Sequence, residues 1–135
     1  MRSVELRQLF LGAALVYLAV AIGFAQQGHP LTGTWSGDWG ATPAQRNQVT
    51  LVLSWDGKQV SGIMNPGPDS VQLSSVYLDP TTWTVRIEAD AKDGSGKPAH
   101  ISAEGRLDDI SSYHRKLSGT WKQGTTNGDF KLTRD

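Results

Sequence analysis

The chain contains no cysteine. Its fold therefore holds without disulfides, thiolate metal and redox chemistry is excluded, and any leader it carries cannot end at a lipidated cysteine. An excess of charge of either sign is also missing, since 13 lysines and arginines face 13 aspartates and glutamates. No basic patch points to a nucleic-acid partner. Histidines number only three, His29, His100 and His114, and their spacing fits no metal site. Neither a metal nor a cofactor is expected. Beyond residue 30 no stretch repeats apolar residues at helical spacing, so the body of the chain does not read as α-helical.

One long uncharged run is present, from Leu9 to Ile22, preceded by Arg2 and Arg7 and followed by Gly23-Phe24-Ala25. A basic start, an apolar middle and a small-x-small end form the pattern of a cleavable export signal. The expected organisation is a signal-peptide helix over 1–25, a short linker over 26–31 and a β-barrel domain over 32–135, delivered to the periplasm or the exterior. The alternative is an uncleaved anchor, because Leu9 to Ala25 reaches the roughly 17 residues a spanning helix needs. Cleavage after Ala25 leaves 11 basic and 12 acidic residues. The apolar share falls to roughly 30 per cent, which implies a modest interior.

From Leu31 onward, segments alternating with a period of two are separated by clusters of Gly, Pro, Asn and Asp. Strands are predicted over Thr32–Trp39, Gln48–Trp55, Gln59–Met64, Val71–Leu78, Thr82–Ala89, Ala99–Leu107, Lys116–Gln123 and Asp129–Arg134. Eight strands close a small up-and-down antiparallel barrel. Tight reversals at Asp56-Gly57, at Asp79-Pro80-Thr81 and over Gly124–Gly128, which contains Asn127-Gly128, favour pairing of strands in sequence order. Asn65–Asp69, Asp90–Pro98 and Asp108–Arg115 read as longer solvated loops.

Alternation also sorts the faces. Trp35, Gly37 and Trp39 share one side of the first strand, and Val49, Leu51, Leu53 and Trp55 share one side of the second. Extending the parity puts all five tryptophans inward, where together they would bury on the order of 1,000 Å². Tyr77 shares the parity of Val71 and Leu73, so its hydroxyl needs a partner inside the barrel, either a ligand or a backbone carbonyl. Trp39, Trp55, Tyr77 and Trp83 are accordingly the candidate ligand-binding residues of the interior. Gly33, Trp35, Trp121 and Arg134 are candidate structural residues, and the segment Leu31–Gly37 is echoed by Leu117–Gly124. The histidines read as ordinary surface residues, and Asp90 with Asp93, like Asp108-Asp109, as turn formers.

Gly33-x-Trp35 opening the first strand, with Arg134 ending the last, resembles the signature of the lipocalin-like, or calycin, barrels. That resemblance implies that Trp35 plugs one end and Arg134 caps it through a cation–π contact. The disulfide, the helix after the barrel and the Thr-Asp-Tyr motif of longer lipocalins are absent. Nearer in length is an uncharacterised bacterial family of exported small barrels. Gly33–Gly37, Asp56-Gly57 and Ser118–Gly124 match its Gly-Thr-Trp-x-Gly opening, middle hairpin and Ser-Gly-Thr-Trp-x-Gln-Gly motif. The opening hairpins also resemble those of the avidins, without later matches to their biotin contacts.

Before Arg134 no inward position carries a charge, whereas acid–base or nucleophilic catalysis needs titratable groups converging in a cleft. The sequence therefore points away from an enzyme. It points to a monomeric exported barrel that binds a small apolar or amphipathic molecule in a tryptophan-rich interior. The alternative is a solid-core module whose loops contact an envelope protein or inhibit a protease.

Overall fold

The computed structural model describes residues 28–135. The signal peptide expected over 1–25 and the start of the linker lie outside the described residues. Eight strands follow one another: β1 Gly33–Thr42, β2 Gln45–Trp55, β3 Val60–Met64, β4 Val71–Asp79, β5 Thr84–Lys92, β6 Pro98–Asp108, β7 Lys116–Gln123 and β8 Thr126–Arg134. Each pairs antiparallel with the next, and β8 returns to β1 over Trp35–Gly40, so the sheet closes into a barrel. All eight predicted strands are present, in the predicted order.

Period-two patterning sets the wall. Leu51 and Leu53 in β2, Val85, Ile87 and Ala89 in β5, Leu107 in β6, Leu117 in β7 and Leu132 in β8 are buried on the inner face, and the alternation is clearest in β5, where Arg86 and Glu88 separate the apolar residues. Turn chemistry sets the register: Asp56 Oδ1 accepts the amides of Lys58 and Gln59, both at 2.8 Å, and Asp79 Oδ1 accepts that of Thr81 at 2.9 Å. Asp93 Oδ1 holds the β5–β6 connection through the amides of Ser95 and Lys97.

A wall this strongly curved needs places where adjacent backbones almost touch. A Cβ on Gly37 would lie 1.8 Å from the carbonyl oxygen of Lys131 in β8. Gly119 of β7 faces Gly105 of β6, and a Cβ on Gly119 would lie 2.0 Å from the Glu104 carbonyl oxygen. Only glycine permits these approaches, one across the β1–β8 closure and one between β6 and β7.

Sequence expectations are corrected at several points, and Asn127 and Gly128, expected in a turn, pair inside β8 with Lys122 and Trp121. β1 and β2 run on to meet at Pro43-Ala44, with a bulge between Trp39 and Thr42, where a longer break was expected. Tyr77 points outward and is 60% exposed. An extra residue at Ser74 shifts the β4 register against both β3 and β5, so Val76 and Leu78 turn inward in its place. Trp83 precedes β5 in a left-handed conformation (φ 57°). There its amide donates to the Asp79 carbonyl, which completes the reversal before the strand begins. The end of the expected linker belongs to the core, since Leu31 is fully buried.

Candidate functional site

Antiparallel strands alternate direction, so the two ends of the barrel are built from different hairpins. One end carries the β2–β3, β4–β5 and β6–β7 connections and is sealed by the segment that enters β1. Trp35 is fully buried there, and its Nε1 donates to the Leu31 carbonyl at 2.8 Å. Arg115 ties the entering segment down, donating from Nη1 to Pro30 O at 2.9 Å and from Nε to Ile110 O at 2.8 Å. The His29 ring lies 4.6 Å from the Trp55 ring, and its Nδ1 accepts the Leu31 amide. Burial lowers the pKa of His29, which favours the neutral ring that this acceptor role requires. His29 is thus a packed residue at the closed end, where a surface residue was expected.

Arg134 lies over Gly33, with its Cδ 3.0 Å from where a Cβ would stand. Its guanidinium stands 5.4 Å from the centroid of the Tyr113 ring, and its Nη1 donates to Thr32 O. The cation–π contact expected with Trp35 is made with Tyr113 instead, because the β6–β7 loop folds back over the terminus of β8 and brings that ring to it.

The opposite end, between the β1–β2, β3–β4, β5–β6 and β7–β8 connections, holds a half-enclosed apolar cavity of about 120 Å³. Aromatic rings of Trp39, Trp121 and Phe130 form part of its lining, with Ile87, Ala89 and Ala103 across the floor and wall. The Trp39 and Trp121 rings meet edge to face, with centroids 5.0 Å apart. Trp121 Nε1 is committed to Asp129 O at 3.1 Å. Among the described residues, Asn65 and Gln123 are the polar ones that line the cavity, and no ionisable side chain does.

Of the four interior residues proposed from the sequence, only Trp39 lines this cavity. Trp55 ends β2 and Trp83 precedes β5, which places both at the sealed end against the core. Tyr77 is outside. Trp121, first assigned to the structural set, is a cavity residue. Its signal was available: Trp39 and Trp121 both stand near strand ends that point the same way.

Polar chemistry lies on the outer wall. Arg46 donates to the Asp38 and Asp129 carboxylates at 2.5 Å each, fastening β2, β1 and β8 across the closing seam. Those bonds hold the Asp129 carboxyl below its ordinary pKa. On the β5–β6 face, His100 sits between Glu88 and Asp90, with Nδ1 2.7 Å from Asp90 and Nε2 in a short contact with Glu88. Ser102 Oγ donates to Glu88 as well. The sequence reading missed this cluster, which follows only from the register that sets His100 opposite Asp90. No group of three ligating side chains able to hold a metal ion is found among the described residues.

The cluster makes stability depend on pH. Hydrogen bonds donated to Glu88 and then to Asp90 raise the His100 pKa above its ordinary 6.5, and the bonds from His100 and Ser102 lower that of Glu88 below 4.5. A raised histidine stabilises the fold fully below the unfolded value and loses that contribution as pH climbs through the folded one. A lowered glutamate contributes above its unfolded value and loses its share as pH falls through the folded one. Both terms are therefore present near pH 5.5 to 6, within the interval set by the two ordinary values. The His100 pair should lower the melting temperature slightly between pH 6 and pH 8, and His100→Gln should remove that fall, leaving the opposite contribution of His29. An unchanged slope in the variant would refute the assignment.

The chain matches no protein-family model, no curated protein and no solved structure. Its fold and cavity define the class on their own terms: a closed eight-stranded antiparallel barrel, sealed at one end and apolar at the other.

Proposed function

We propose that this protein is an exported, non-catalytic binding module of the lipocalin-like type, which takes a small apolar or amphipathic molecule into the open end of its barrel. The half-enclosed apolar cavity beside Trp39 and Trp121 carries the reading, because concave apolar surface with a few polar groups at its edge is the usual form of a small-molecule site. Packing around Trp35 and the Arg134 cap at the far end support the lipocalin-like comparison. An interior without ionisable side chains supports binding over chemistry.

Tryptophan fluorescence tests the proposal, since two of the five indoles line the cavity. Emission should shift or quench with at least one member of a panel of small aromatic compounds and fatty acids. Ala103→Leu, which fills the cavity from its wall, should abolish the response while the barrel still melts cooperatively. Silence from the unsubstituted protein across a broad panel would remove the idea.

A further inference from the structure

The size and charge of the cavity narrow what enters it, on the reading that it is a binding site at all. A void of about 120 Å³ is well below the roughly 300 Å³ at which drug-sized pockets begin. It is close to the roughly 150 Å³ apolar cavity that accepts benzene in an engineered protein. Two indoles and one phenyl ring in the lining offer edges and faces to a flat guest. A single six-membered ring fills this space, whereas a fused pair or a long acyl chain exceeds it.

The rim determines what the ring can carry. Asn65 directly follows β3 and Gln123 ends β7, so the two amides stand at the open end on opposite walls of the barrel. Asn65 Oδ1 accepts the Thr50 amide at 3.0 Å, and Gln123 Nε2 donates to Ala99 O at 3.2 Å and Lys92 O at 3.4 Å. These bonds fix the orientation of both amides. Asn65 Nδ2 is left to donate and Gln123 Oε1 to accept, so a hydroxyl finds a complement on either wall. A charged substituent finds none, because no lining side chain carries an opposite charge and entry removes water from the ion.

From size, ring lining and an uncharged rim together, we infer that the ligand is a neutral, single-ring aromatic with one hydroxyl-type substituent. The ring sits between Trp39 and Trp121, and the substituent stays at the Asn65 and Gln123 rim.

Benzyl alcohol, benzoate and benzylammonium share one ring and differ in charge, and 2-naphthylmethanol keeps the hydroxyl but doubles the ring. Calorimetric titration of the full chain at pH 7 should show benzyl alcohol binding at least roughly tenfold more tightly than either ion. The naphthyl alcohol should bind more weakly than benzyl alcohol, and Ala103→Leu should lose the benzyl alcohol signal. Equal affinity for benzoate or benzylammonium, or tighter binding of the naphthyl alcohol or of decanoate, would overturn this ligand class and leave the apolar site standing. No binding by any compound would overturn both.

Discussion

Trp35→Ala should destabilise the barrel by about 3 to 5 kcal/mol, seen as a fall in melting temperature of roughly 15 to 25 °C. The indole is fully buried at the sealed end, so its removal leaves a large void that the closed wall cannot collapse to fill. The Leu31 carbonyl also loses its donor at 2.8 Å, which frees the segment that seals this end. Trp35→Phe weights the two contributions differently, since it removes the hydrogen bond outright but leaves a smaller void than alanine does. Natural domains are stable by roughly 5 to 15 kcal/mol, so this loss removes a large fraction of the total. A near-neutral denaturation midpoint for Trp35→Ala would mean that this ring does not hold the end shut.

Gly37→Ala should be nearly as damaging, although it adds a single methyl group. Any Cβ at this position falls 1.8 Å from Lys131 O and 2.8 Å from its carbonyl carbon, both backbone atoms of the strand that closes the barrel. Relief requires β1 and β8 to separate, so the cost is strain plus ladder hydrogen bonds, on the order of 3 kcal/mol. Gly94→Ala is the control, because a Cβ there meets nothing within 4 Å and should change stability by less than about 0.5 kcal/mol. Amide exchange locates the damage. Amides of the β1–β8 pair should exchange faster in Gly37→Ala, and those of the β5–β6 pair should keep most of their protection. Equal behaviour of the two glycine variants would refute the account of the seam.

Much of the architecture was readable because a half-buried strand writes its inner face in every second residue. Val85, Ile87 and Ala89 illustrate this, and the Asp56 and Asp79 turns supplied the order of pairing. Tyr77 escaped that logic. The extra residue at Ser74 shows only against neighbouring strands, and one inserted position reverses every face after it. Trp55 and Trp83 failed for another reason. Parity reports which face a side chain takes and says nothing of its height along the barrel. Up-and-down topology does give the height, because the end of β1 and the end of β2 lie at opposite mouths. Applied to the sequence, that rule separates Trp39 from Trp55 and brings Trp39 together with Trp121. The His100 cluster required the exact partner of each residue across β5 and β6, and periodicity does not reveal that.

The seam between β1 and β8 also has a consequence in time. Ser36 and Asp135, hydrogen-bonded at 3.1 Å, are 99 positions apart, so the first strand to leave a ribosome waits for the last before its free edge is covered. Contacts this remote slow folding into the range of milliseconds to seconds. Throughout that interval β1 offers an unpaired ladder to any other nascent chain. Synthesis of this polypeptide is thus the stage at which it is most exposed to clumping, and a helper that shields an extended segment would have its greatest effect there.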